Sequence, residues 1–480
     1  MAKLEMLKPE RVFYYFEQLS SIHRGSGDMD AISQFCIDFA KEHNLPYHTD
    51  ELKNVVIFKD GSKGYENAQP VILQGHLDMV CQKTEDCDID FLNDGIDIYV
   101  DGEFVKAKGT TLGADNGIAV AMVLSILESD SIAHPPIEAV FTTDEETGMY
   151  GAKALNMSIL KGKRMINIDS EEESVITVSC AGGSDLCVRH DINREEKSGD
   201  CVTIALKGLR GGHSGIEINS GKINANILMG ETLNKLDSVC DFELININGG
   251  DKPNAITNLC VAELYFANYD NCKNEIKAVL DEIKSDVCDT ENGIHFDVDV
   301  KKDLLCSTFG NTLTNNIIDI LNTTQNGVVQ MSESIENLVE TSLNIGILST
   351  KNDEVMMHFS LRSNKKAGLM ELEDNMSAFF KGYNFTIETF GHYPPWEYRE
   401  NSKLRDMYFD LYKEVFGTEP KVEAIHAGLE CGVFASNIKD FDCIAIGPDI
   451  FDAHTVNERL SIKSTQAVYD TIVKLLSKLQ

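Results

Sequence analysis

Apolar positions fall into two patterns along this chain. Towards both ends they form short unbroken runs that each stop at a polar cluster: PVILQGHLDMV (70–80), PIEAVFTTDEETG (136–148), RMINIDSEEE (164–173) and FDCIAIGPDIFDAHT (441–455). Runs of four to seven residues rich in Val, Ile and Phe predict strands buried on both faces, as in a parallel α/β sheet. Helical spacing fills the gaps. ERVFYYFEQLSSI (10–22) and DAISQFCIDFAKEH (30–43) read as amphipathic helices, and NGIAVAMVLSILESD (116–130) as an apolar helix after a glycine-rich turn. NSKLRDMYFDLYKEVFG (401–417) and STQAVYDTIVKLLSKL (464–479) have the same spacing. The first starts at an Asn401/Ser402 cap and stops at Gly417.

The middle reads differently. CVTIALKGL (201–209), NLCVAELYF (258–266), IHFDVDV (294–300) and EVMMHFSLRS (354–363) alternate like half-buried strands, with helices at 222–236 and 273–285. This block is an α+β domain with one open sheet face, inserted into the first domain, because candidate chemistry lies on both sides of it. The expected organisation is an α/β catalytic domain, a mostly parallel sheet between helices, made of 1–186 and 393–480. The insertion, 187–392, is the second domain.

Charge and cysteine usage narrow the partners. A net charge of −34 argues against nucleic acid or an anionic membrane, since nothing would offset phosphate repulsion. No apolar run is long enough to span a bilayer, and MAKLEMLKPERVFYYF lacks the apolar stretch of a secretion signal. The 13 cysteines form no CxxC pair and read as reduced thiols in a cytoplasmic protein; Cys81 and Cys87 are too weakly spaced to argue a bridge.

Each apolar run ends in residues fit to bind a metal. His76 and Asp78 follow VILQG, Asp144, Glu145 and Glu146 follow VFTT, Asp169 follows INI, and His454 follows CIAIG within a short loop. Asp115 lies in the glycine-rich turn GTTLGADNG (109–117). Open α/β sheets bind ligands at the carboxyl ends of their strands, so these groups gather at one edge. Singly, each has an ordinary reading: a solvated acidic loop, a helix cap or a surface histidine. Their coincidence points to a metal. One catalytic zinc takes about three protein ligands plus water, so two histidines and three carboxylates suit two metals if one carboxylate bridges. Mixed His and carboxylate ligation suits Zn²⁺, Mn²⁺ or Co²⁺. Asp78, two residues after His76 on an extended chain, can orient that imidazole. Of the adjacent Glu145 and Glu146, one can bind metal while the other serves as base.

GHLDMV, GTTLGADNGIAVAM, TTDEETGMYGA, INIDSEE and AHTVNE resemble the dinuclear zinc exopeptidases of the aminoacylase, glutamate carboxypeptidase and dipeptidase group. HAGLECGVF (426–434), GGHSG (211–215) and the long insertion place the resemblance in the dipeptidase branch, and it runs through essentially the whole chain. It implies two divalent metals, zinc with Co²⁺ or Mn²⁺ as alternatives. His76 and Asp169 would hold one, Glu146 and His454 the other, and Asp115 would bridge them beside a cis Asp115–Asn116 peptide. Asp78 would clamp His76, and Glu145 would be the general base for a hydroxide bridging the metals. His213 would stabilise the oxyanion, reaching across from the other subunit in dimeric relatives. Arg362 would hold the substrate carboxylate and Asn254 would lie near the substrate. Glu430 either meets the free amine or is structural. The insertion becomes a lid and dimerisation domain of a homodimer. The implied substrates are dipeptides with free termini, of Xaa-His type such as β-alanyl-His and a broader range. A tripeptidase or N-acyl-amino-acid hydrolase shares the same core. An inactive zinc-binding homologue would have lost Glu145 or a ligand, and none is missing.

Overall fold

The four apolar runs fold as four neighbouring parallel strands at the centre of one eight-stranded sheet. The structure, a computed structural model, describes residues 3–333, 335 and 337–480. In sheet order the central strands are Ile137–Thr142, Val71–His76, Arg164–Asn167 and Asp442–Ala445. Every residue of the first two is buried, which explains their unbroken apolar pattern. Register aligns the carboxyl ends: His76 pairs with Thr142, Gln74 with Asn167, and Asn167 with Ala445. Antiparallel strands flank this core, Val55–Lys59 and Tyr47–Thr49 on one side and Val175–Cys180 on the other, with Lys421–Ile425 outermost.

The helix Ala114–Glu128 packs on the strand Val71–His76 and on the helix Glu10–Ser20. Its residues are buried all round from Asn116 to Leu127, so its apolar sequence has no polar face to show. Burying each of its Ile, Val and Leu side chains contributes about 1.5–3 kcal/mol. The helix Lys403–Phe416 starts where Ser402 accepts the Arg405 N–H at 3.0 Å, and it ends at Gly417 with φ of 72°. A small four-stranded sheet, Ile98–Asp101, Phe104–Ala107, Arg459–Ser461 and Ile450–Phe451, was not expected. Its strands are too short to show a period.

The chain divides into two compact units. One is Met1–Cys180, Tyr398–Ala424 and Leu429–Gln480; the other is Ala181–Glu397 and Ile425–Gly428. The second unit holds a nine-stranded antiparallel sheet. Its strand Cys260–Phe266 alternates buried and half-buried residues, as half-buried spacing requires. The inward side chains share one core with the helices Ala225–Asp237, Lys273–Val287, Gly310–Thr323 and Lys366–Lys381. Among the described residues no helix is long and apolar enough to cross a membrane, and none of the 13 cysteines forms a disulfide.

Candidate metal centre

Six of the sequence-predicted side chains meet at the carboxyl edge of the central strands. His76 is the last residue of its strand. Its Nε2 lies 3.0 Å from Asp115 Oδ1 and 3.5 Å from Asp169 Oδ1. The other Asp115 oxygen, Oδ2, lies 3.0 Å from His454 Nε2. One carboxylate therefore presents each of its oxygens to a different imidazole. Glu146 Oε1 stands 3.1 Å from His454 Nε2, is buried, and makes no hydrogen bond. His76, Asp115 and Glu146 each place a ligand atom within 4.8 Å of the others. Carboxylate oxygens and imidazole nitrogens converging on one space form a donor set that fits divalent cations.

The turns that carry these groups are strongly bonded. The Asp115–Asn116 peptide is cis, and both residues lie outside helical geometry although their helix continues beyond them. The Asn116 amide accepts the His76 N–H at 3.2 Å and donates to the Ile168 carbonyl at 2.7 Å. It thereby ties the backbone of His76 to the residue before Asp169. Asp78 does more than face His76. Its Oδ1 is 3.4 Å from His76 Nδ1, while its own carbonyl oxygen is closer, at 3.2 Å. Its carboxylate also accepts the N–H groups of Glu145 at 3.1 Å and Glu146 at 3.2 Å. Asp78 thus fixes the turn that aims both glutamates.

Charge explains the protonation pattern. Burial would neutralise His76, but Asp169, Asp115 and Asp78 outweigh it and raise its pKa well above the usual range. Asp115 and Glu146 raise His454 to about 11. Burial would raise Asp115, yet His454 and His76 hold it well below the usual carboxylate range. Burial pushes Glu145 well above its ordinary value. Asp169, Glu430 and Glu146 add to this, and His76 opposes it. A carboxyl poised upwards is suited to take and return a proton.

Glu430 is wholly buried at the start of the helix Glu430–Asn437. Its Oε2 accepts from Thr142 Oγ1 at 2.7 Å and from the Gln74 amide, which itself accepts from Asn167 Nδ2 at 2.5 Å. This network ties Glu430 to three central strands, and its other oxygen, Oε1, has no hydrogen-bond partner among the described residues.

The remaining predicted residues lie in the second unit. His213 and Asn254 belong to a short ribbon in which His213 pairs with Ala255 and the Ser214 N–H meets the Asn254 carbonyl at 2.9 Å. His213 Nδ1 accepts the N–H groups of Gly215 at 3.0 Å and Ile216 at 3.2 Å. The neutral ring therefore carries its proton on Nε2, free to donate. Burial and the Arg362 charge lower its pKa and favour that neutral form. Arg362 donates to Tyr393 Oη at 2.9 Å and is nearly buried, with its Nε unpaired. His426 bridges Ser342 at 2.7 Å and Asn364 at 2.9 Å. Burial, then Arg362, takes it down to about 3.

Two buried residues at the metal centre escaped sequence reasoning. Arg24 donates to the carbonyls of Leu77 at 3.1 Å and Asp78 at 3.3 Å, and to that of Gly113. Glu458 accepts four consecutive N–H groups, from Leu112 to Asp115, at 2.7–3.3 Å. The glycines of GTTLGADNG were the available signal for Arg24: a Cβ at Gly113 or Gly117 would lie 2.5 Å from its Nη2.

A mixed sheet whose four central strands are parallel, rather than the mostly parallel sheet expected, with imidazoles and carboxylates gathered at the carboxyl edge of those strands, defines an α/β enzyme with a candidate metal centre. The chain belongs to peptidase family M20/M25/M40, whose model matches residues 72–478, and it is a peptide hydrolase. It is 34% identical to the cytosol non-specific dipeptidase of Escherichia coli (strain K12), over 100% of this chain and 99% of that one. The crystal structure of aminoacylhistidine dipeptidase from Vibrio alginolyticus superposes with a TM-score of 0.89 at 35% identity, covering 99% of this chain and 98% of that one. Aminopeptidase PepT from Bacillus cereus matches with a TM-score of 0.55 at 14% identity, covering 99% of each chain, a likeness of fold.

Proposed function

We propose that this chain is a metal-dependent dipeptidase acting on dipeptides with free amino and carboxyl termini, Xaa-His dipeptides such as β-alanyl-His among them. The observation that carries the reading is Asp115, whose two oxygens lie 3.0 Å from His76 and 3.0 Å from His454. Full-length likeness to two dipeptidases supports the substrate class.

His76 and Asp169 would hold one metal, Glu146 and His454 a second, and Asp115 would bridge. Zinc suits the donor set, with Co²⁺ or Mn²⁺ as alternatives. Bound divalent metals would acidify the attacking water and polarise the scissile carbonyl. Glu145 takes the proton of that water and delivers it to the leaving amine. Asp78 holds the Glu145 N–H and so fixes the distance over which the proton moves. His213, protonated on Nε2, donates to the developing oxyanion. Arg362 grips the substrate carboxylate with a fork of two hydrogen bonds, and Asn254 lies beside the same substrate. The second unit would act as a lid and pair two chains into a cytoplasmic homodimer.

The test is hydrolysis of β-alanyl-His, Leu-Gly, a tripeptide and an N-acetyl amino acid by protein reconstituted with each metal. Turnover confined to the dipeptides and dependent on added metal supports the reading. Preference for the tripeptide or the N-acetyl compound replaces it with a tripeptidase or an acyl-amino-acid hydrolase.

A further inference from the structure

The loop SIHRGSGD (21–28) carries no group in the mechanism above, yet it reaches three of the turns that supply candidate ligands. Arg24 binds the carbonyls just after His76 and the carbonyl of Gly113, two residues before Asp115. Ser26 Oγ donates to Asp78 Oδ2 at 2.8 Å, and the Gly27 N–H donates to Asp144 Oδ1 at 2.6 Å. From the opposite side of the glycine turn comes Glu458, four residues after His454. It takes the Gly113 N–H at 3.0 Å and the Asp115 N–H at 3.3 Å. The Gly113 residue is therefore gripped at its carbonyl by a guanidinium and at its N–H by a carboxylate.

Both charges are enclosed. Arg24 is 2% exposed and Glu458 is 3% exposed. A charge in such a place is costly unless fully hydrogen-bonded. Here the groups that meet each charge are backbone atoms beside His76 and Asp115, with Arg24 Nε the one guanidinium nitrogen left without a partner among the described residues. Gly113, with φ of 68°, and Gly117 leave the space the guanidinium fills; a side chain at either would collide with it. Fixing these turns fixes the distances between His76, Asp115 and His454.

We propose that Arg24 and Glu458 are positioning residues, a buried brace of opposite charges that holds Asp115 between His76 and His454. The inference rests on reading those three as ligands. Neither residue touches substrate; each acts through the backbone of the turns it grips.

The experiment measures zinc affinity of the metal-depleted full-length chain by chelator competition, together with kcat and KM on a dipeptide. The variants are Arg24→Met, Arg24→Lys, Glu458→Gln and the double variant Arg24→Met/Glu458→Gln. Supporting groups of this kind change metal affinity by about 10–100-fold, and that loss is expected in Arg24→Met and Glu458→Gln. kcat should fall with it while KM stays within about threefold, since the substrate contacts are untouched. Arg24→Lys should recover only part, because an ammonium cannot span three carbonyls. The double variant should lose less than the product of the single losses, as both act on the same turn. Wild-type zinc affinity in folded Arg24→Met and Glu458→Gln, with only thermal stability lowered, would overturn the brace. If Arg24→Met does not fold, wild-type affinity in Arg24→Lys and Glu458→Gln overturns it equally. A wild-type chain that binds zinc but cleaves no dipeptide refutes the proposed function, and the affinity series still decides the brace.

Discussion

Replacing Asp115 with Asn removes one charge and little volume. The magnitude follows from geometry. At the 3.0 Å separation of Asp115 and His76, an effective dielectric of about 20 gives roughly 5.5 kcal/mol of attraction between unit charges. That pair is enclosed, with side chains 2% and 13% exposed. The Asp115–His454 pair is discounted for solvent screening, because the His454 side chain is 49% exposed. Local relaxation reduces the realised loss for a broken buried pair to about 3–5 kcal/mol. Asn keeps one oxygen for one imidazole and turns an NH₂ group towards the other. That loss falls on the metal-free fold; in the metal-bound chain the imidazoles are neutral, and what Asn removes is an anionic oxygen ligand, a loss expected to weaken binding by at least about a hundredfold, roughly 2.7 kcal/mol. The assay is reconstitution of metal-depleted protein followed by calorimetry, with metal content measured independently by mass spectrometry. The expected result is fewer than two metals per chain and at least a hundredfold weaker binding of those that remain. Two metals bound at wild-type affinity in Asp115→Asn would refute the bridging assignment.

Other outcomes test other parts of the site. Glu145→Gln should retain bound metal and lose about 10²–10⁴-fold in kcat, measured on a dipeptide under saturation; hydrolysis at the wild-type rate would exclude Glu145 as the base. Arg362→Ala should lose about 10–100-fold in kcat/KM on free dipeptides, equivalent to one charge-assisted contact of about 1.5–3 kcal/mol. It should leave dipeptide amides unaffected, and an equal loss on amides would sink the carboxylate role. In the metal-free chain His76, well above its usual pKa, and His454, at about 11, carry protons at neutral pH. Ligation needs neutral imidazoles, so metal binding should release protons and weaken as pH falls; identical calorimetric heats in buffers of differing ionisation enthalpy would contradict this. The raised His454 value also stabilises the metal-free fold in full below about pH 6.5 and fades as pH rises through about 11, so the Tm of metal-free protein should fall across that window.

The central strands were legible because burial on both faces leaves an unbroken apolar run with a sharp polar end. Ligands at those ends were legible for the same reason. Their adjacency was not, since the pairing of Val71–His76 with Ile137–Thr142 and Arg164–Asn167 is a long-range property with no local trace. Flanking strands such as Tyr47–Thr49, three residues and exposed, carry no period to read. The alternating strands of the second unit showed because one face is buried and the other is not.

At the metal centre, sequence reasoning found the groups with an obvious task and missed those that act through backbone. Asp78 was expected to serve His76; its carboxylate also holds the turn of Glu145 and Glu146. Asn116 was visible only as the neighbour of Asp115, yet its amide links His76 to Ile168. An arginine between Ile22 and a Gly-Ser-Gly stretch looks solvated, because the carbonyls that accept from Arg24 come from two turns distant in sequence. The same is true of Glu458 and its four N–H donors, more than 340 residues upstream. A ligand betrays itself by its own chemistry and its place at a strand end. A residue that positions a ligand betrays itself only through the partners that satisfy it, and those partners are set by the fold.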